Sequence, residues 1–152
     1  MNLDIAWAAG FLDGEASFLL SALPKKQQKV RGVILRRPII SASQSLTITP
    51  LLKLKQALGG SVCEAKRKTV TGRKVWIWCL AGGKALREVL PKLIPHLTVK
   101  LESAKLLLAF AETMQTNKDP RSQELIELRN VIITKFYALP ERKKPTRKRK
   151  KA

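Results

Sequence analysis

Residues 4–17 read DIAWAAGFLDGEAS. The run Ile5-Ala6-Trp7-Ala8-Ala9-Gly10-Phe11-Leu12 predicts a short apolar helix whose C-terminal end runs into Asp13-Gly14-Glu15. Small residues recur on one stripe, Ala6, Ala9, Gly10 and Asp13, while Ile5, Ala8, Phe11 and Leu12 offer a bulkier stripe to an ordinary core. Two acids also stand where the helix dipole is negative, a placement that costs each of them about 0.3–1 kcal/mol at the surface. Two explanations are open on these residues alone. One is a helix stop, with Gly14 as C-cap and both acids solvated. The other is a divalent cation, since an octahedral Mg2+ takes one or two carboxylates beside phosphate oxygens and water.

Outward from this stretch, 152 residues suffice for one domain with a real core. The expected division is a domain over 1–139 and a basic tail over 140–152, whose composition predicts disorder. Lys and Arg number 30 against 11 acids, for a formal charge of +19, the footprint of a polyanion-binding protein. Eight of those bases and one acid lie in the tail, so the body keeps 22 bases against 10 acids and is itself basic. No apolar run approaches the roughly 20 residues that span a bilayer, and no segment carries a basic amphipathic pattern. Nucleic acid is therefore the expected partner and a membrane is not. The N-terminus, MNLDIAWAAG, has neither a secretory nor a transit-peptide pattern, which points to an intracellular protein. Cys63 and Cys79, too few for a disulfide framework and without zinc spacing, read as reduced structural thiols.

The chain then alternates. Ser17 to Leu23 reads as a strand ended by Pro24, and 25–37 holds six bases and no acid. A second strand is expected over 33–43, with Pro38 arguing for an edge position or a bulge. Thr49-Pro50 opens a helix, with Thr as N-cap, and Gly59-Gly60 closes it. Residues 61–81 form a hairpin turning near Thr71-Gly72. If Val70 faces Arg73, Lys68 lies by Val75, Lys66 by Ile77 and Glu64 by Cys79, while Cys63, Ala65, Trp76, Trp78 and Leu80 share the other face. That register separates the two cysteines. Three helical pieces follow: 84–90 ending at Pro91, 99–114, and one capped by Asp119-Pro120 that runs to about Leu139. There is no internal repeat of the opening stretch.

Ala9-Gly10-Phe11-Leu12-Asp13-Gly14-Glu15, set in this order of elements, resembles the LAGLIDADG homing endonucleases with one motif per chain. The resemblance extends over residues 4–115 and takes in Gln44 after the second strand and Lys100 before the long later helix. It departs at Trp7-Ala8, at Ala16 where the motif ends in Gly, and at Ile48, which stands where a basic residue is often found. It implies an α/β (α+β) fold of αββαββα order, with an antiparallel saddle-shaped DNA-binding sheet and extra C-terminal helices. It implies a homodimer in which Ala6, Ala9, Gly10 and Asp13 line the contact between motif helices, so that two sites meet across the minor groove.

By the same resemblance Glu15 and the Gly14 carbonyl hold Mg2+, Gln44 positions a water, and Lys100 steadies charge at the scissile phosphate. On the residues alone, Gln44 can also be read as a strand-end polar group and Lys100 as a helix-start lysine. The outward face of the sheet would carry Leu19, Ser21, Leu23 and Lys25 on the first strand; Arg37, Ile39, Ser41 and Ser43 on the second; and Glu64, Lys66, Lys68, Val75 and Ile77 on the hairpin. Lys26, Gln27, Gln28, Lys29 and Arg31 lie between the first two strands. The implied function is site-specific double-strand DNA cleavage at a long pseudo-palindromic target, initiating intron homing in an organelle (chloroplast or mitochondrion) or a prokaryotic cytoplasm. The alternatives are an intron-splicing RNA maturase of the same fold and a basic RNA-associated structural protein.

Overall fold

The computed structural model describes residues 3–24, 35–115 and 122–142. Within them the order is α1 (Leu3–Glu15), β1 (Ala16–Ala22), β2 (Arg36–Gln44), α2 (Thr49–Leu58), β3 (Ser61–Glu64), β4 (Trp76–Ala81), α3 (Gly83–Leu93), α4 (Leu101–Thr113) and α5 (Gln123–Ala138). The strands form one antiparallel sheet in the order β1-β2-β4-β3. Period-two alternation decides its faces. Ala16, Phe18, Leu20, Ile40, Ala42, Trp78 and Leu80 are buried against the helices, while Ser17, Leu19, Ser21, Arg37 and Ser43 are exposed on the other side. The helical layer contributes Ala8, Leu12, Leu51, Leu54, Leu86, Leu90, Leu107, Phe110 and Phe136 to the same core. The expected αββαββα order and the parity of β1 and β2 are thus observed.

Several local expectations are corrected. Asp13, Gly14 and Glu15 belong to the helix, which passes directly into β1, so Gly14 is not a C-cap. Pro38 lies in an inner strand, not on an edge. At its level β4 has already ended, and the Gly82 N–H donates to the Pro38 carbonyl at 3.1 Å. The ring nitrogen faces that same side, so the missing donor removes no ladder bond. Thr49 is the first residue of α2 and its N–H donates to the Thr47 hydroxyl, which displaces Thr49 from the capping role. Pro91 sits inside α3, because burial of Leu90 and Leu93 carries the helix through one more turn. Ser122 caps α5 by accepting from the Leu125 N–H; the Asp119-Pro120 cap lies outside the described residues.

The largest correction is the register of β3. Cys63 pairs with Ile77 and Glu64 with Trp76, a shift of three residues from the expected pairing of Glu64 with Cys79. At the tip, Thr69 donates to the Arg73 carbonyl, and nearer the base Ala65 donates to the Val75 carbonyl. Three residues, 66–68, therefore lie opposite the single residue Lys74. A uniform ladder counted down from the turn cannot anticipate that surplus. Because the shift is odd, β3 turns over. Cys63 joins Ile77 and Cys79 on the open face, and Glu64 falls on the Trp78 side. The cysteines share a face. At the base of the hairpin, Gly60 adopts φ +86°, and a Cβ there would meet the Cys79 carbonyl oxygen at 2.6 Å. The close approach lets the Trp78 indole N–H donate to the Gly59 carbonyl at 2.9 Å.

The outer edge of β1 is covered by the C-terminal segment. The Leu20 carbonyl accepts from the Tyr137 hydroxyl and from Arg36, both at 3.0 Å. The Phe18 carbonyl accepts from Arg142, whose guanidinium lies 3.7 Å from the centre of the Phe136 ring. Edge carbonyls that could recruit another strand are thereby engaged.

Candidate active site and nucleic-acid face

The site begins where α1 ends. The Asp13 carboxylate accepts from the Thr98 N–H at 2.7 Å and the Lys100 N–H at 2.9 Å, and the Lys100 ammonium donates to the Asp13 carbonyl at 3.0 Å. Asp13 lies at the negative end of its own helix, but its carboxylate is set against the start of α4, where backbone N–H groups lack intrahelical partners. That arrangement explains one of the two oddly placed acids.

Glu15 is exposed, and its Oε2 accepts from the Gln44 side-chain amide at 3.3 Å. The end of β2 next to the end of α1 produces this contact. The two side chains open on a cleft of about 450 Å³ that is also lined by Ser43, Ser45, Arg67, Lys68, Thr69, Val70 and Val75. Lys100 lies on an adjoining hollow of about 370 Å³ with Ala16 and Ser17. The structure thus brings Glu15 and Gln44 together and ties Lys100 to the backbone two residues before Glu15. Arg67, Ser45 and the tip residues Thr69 and Val70 were not anticipated here. Lys68 and Val75 were expected on a regular strand face, whereas they form the cleft wall.

The donor set suits a hard divalent cation. Glu15 offers an exposed carboxylate, and Gly14 lies in the last turn of α1, where carbonyls have no intrahelical donor and the dipole favours positive charge. Among the described residues no group of three or more His, Cys, Asp or Glu side chains converges. An all-protein cage is not what Mg2+ requires. One carboxylate beside substrate phosphate and water suffices.

From the cleft the open face of the sheet extends in cross-strand rows: Ser43, Ile77 and Cys63; then Ser17, Ser41, Cys79 and Ser61; then Leu19 and Ile39; then Ser21 and Arg37. Ser21, Arg37, Ile39, Ser41, Ser43 and Ile77 stand where the resemblance implied. Glu64 is corrected to the opposite parity, and Lys66 and Lys68 lie in the irregular arm. Lys25, Lys26, Gln27, Gln28, Lys29 and Arg31 lie outside the described residues. Burial pushes the Cys79 thiol above its ordinary range, Arg37 opposes this, and Cys63 adds to it.

On α1, Ala9 is fully buried in the chain's own core, which removes it from the expected partner contact. Ala6 and Asp13 are half-buried and Gly10 is exposed. A Cβ built at Gly10 or Gly14 meets nothing within 4 Å.

No protein-family model matches the chain. A curated relative does: the DNA endonuclease I-CvuI of Chlorella vulgaris is 30% identical over 120 residues, spanning 78% of this chain and 70% of the relative. The chain belongs to the LAGLIDADG homing endonuclease family. A solved structure of I-CvuI, in complex with its target in the presence of 2 mM Ca, aligns with a TM-score of 0.67 at 29% identity, covering 87% of this chain and 81% of that one. The homing endonuclease I-TnaI shares the fold, with a TM-score of 0.68 at 19% identity and coverage of 92% and 90%. I-SmaMI, a LAGLIDADG enzyme, does so with a TM-score of 0.67 at 21% identity, this chain covering 44% of that one. In this LAGLIDADG chain the motif's final acid is therefore Glu15.

Proposed function

We propose that this LAGLIDADG chain is a site-specific double-strand DNA endonuclease that acts as a homodimer with Mg2+ and initiates intron homing. The observation that carries the reading is the Glu15–Gln44 contact, set in a cleft with Arg67 and Lys68 on its wall at one end of an open sheet face. I-CvuI, the relative, is a DNA endonuclease and has been solved with target DNA in the presence of Ca or Mg.

A two-stranded ribbon fits the major groove, so the rows of Ser, Ile and Arg side chains meet base edges while the cleft reaches the backbone. Glu15 and the Gly14 carbonyl hold the cation. When bound, the cation supplies Lewis-acid stabilisation and a more acidic water for phosphodiester hydrolysis. Gln44 orients the Glu15 carboxylate and donates towards the same space. Lys100, anchored on Asp13, places positive charge beside the strand that leaves the site. The open Gly10 side of α1 suits a close approach by a second copy, and two copies related by a twofold axis would read a pseudo-palindromic target.

The test is cleavage selection from a randomised pool of duplex DNA with Mg2+, followed by assay of Glu15→Gln on the recovered duplex. The parent is expected to cut both strands and the variant to bind with similar affinity without cutting. Equal cutting by the variant would remove Glu15 from the site. Binding to structured RNA with no cleavage of any duplex would favour a maturase.

A further inference from the structure

The hairpin between β3 and β4 has arms of unequal length, and the surplus falls beside the cleft. Residues 66–68 face the single residue Lys74, so Arg67 and Lys68 leave the ladder and line the space shared by Glu15 and Gln44. Both are exposed, and neither makes an ion pair or a side-chain hydrogen bond among the described residues. Two cations on the wall of a cleft that also holds a carboxylate, neither of them ion-paired, are arranged for an incoming anion. The anchored alternative, Lys100, lines the neighbouring hollow with Ala16 and Ser17.

We propose that Arg67 and Lys68 bind the scissile phosphate in the Glu15–Gln44 cleft. This rests on the endonuclease reading above. A phosphodiester under attack gathers negative charge on its non-bridging oxygens. A guanidinium forks onto two of those oxygens, and an ammonium adds a point charge. The contact strengthens as the charge grows, so its loss acts on the rate of cutting more than on affinity. The same two residues far from the cleft would act only as general phosphate contacts, weakening binding in a salt-dependent way.

The experiment uses the full chain and the duplex recovered by cleavage selection, with single-turnover cleavage rate and Kd measured separately. For Arg67→Ala/Lys68→Ala the rate constant at saturating protein should fall about 100-fold, whereas Kd should weaken by no more than about tenfold. Arg67→Lys/Lys68→Arg, which keeps both charges, should retain at least about tenfold of the rate that the alanine variant loses, a recovery that depends on charge at the cleft. Lys84→Ala, an exposed base on α3, should leave the rate unchanged. Circular dichroism checks that the hairpin variants fold. A double variant that cuts as fast as the parent at saturation, with any deficit confined to Kd, overturns the assignment and leaves the endonuclease reading intact. A parent that cuts no duplex overturns both.

Discussion

Asp13 joins two regions of the chain that the sequence separates widely. Its carboxylate accepts from backbone N–H groups 85 and 87 residues away, and its carbonyl anchors the Lys100 ammonium. Replacing it with Ala strands two donors at the start of α4, a loss of about 1–2 kcal/mol by analogy with helix capping. For a chain of this size the melting temperature should drop by about 5 °C. Single-turnover cleavage should fall as well, because the Lys100 backbone N–H loses the carboxylate that fixes it, even though the carbonyl at position 13 still accepts from the ammonium, and Asp13→Asn should recover part of both. A melt and a cleavage assay that do not move would show that the cap carries no weight. The sequence made the acid conspicuous, since a carboxylate at a helix C-terminus is electrostatically misplaced. It could not show the remedy, because Thr98 and Lys100 carry no signal of where the chain returns.

The contrast between strands shows what patterning can and cannot encode. In β1 and β2 buried and exposed residues alternate cleanly, and the expected outward side chains are the observed ones. In β3 the sequence SVCE offers no such contrast: Val62 is half-buried and the other three are exposed. Its face can only be inferred from the turn, and a one-residue offset at the tip, where Thr69 and not Val70 lies by Arg73, adds to the two extra residues of the ascending arm to give the odd shift of three. Thiol chemistry tests the corrected register. With Cys63 and Cys79 on one face, bound duplex should protect both from iodoacetamide, as read by mass spectrometry. Labelling of Cys63 that ignores DNA would restore the original pairing. Since burial raises the Cys79 pKa, its thiolate fraction at neutral pH is below that of an ordinary thiol. Its labelling rate should therefore keep climbing at pH values where an ordinary thiol has levelled off.

At the scale of the whole molecule, charge and shape point to assembly around a polyanion. An excess of 19 positive charges cannot be neutralised within the chain, and Arg37 on the open face with Arg67 and Lys68 at the cleft present part of it to phosphate. The helix α1 adds a second requirement. Ile5, Ala8, Ala9 and Leu12 bury one side of it, while Trp7 stacks on Phe11 on a half-exposed flank and receives the Lys53 ammonium 4.1 Å from its ring centre. A helix apolar on most of its surface is stable when both sides are covered. Gly10 stands at the middle of the uncovered side, with open space where a Cβ would project. Gly10→Leu adds a Cβ that meets nothing within one chain and, in the proposed dimer, a side chain that would hold two α1 helices apart. Circular dichroism should show the helical content of the parent, sedimentation should shift from dimer to monomer, and double-strand cleavage should be lost. Dimers that persist in the variant, cutting normally, would place the partner contact elsewhere. The small residues of the motif were legible as a stripe, but only the packing separates Ala9, which the core consumes, from Gly10, which stays on the surface of the chain.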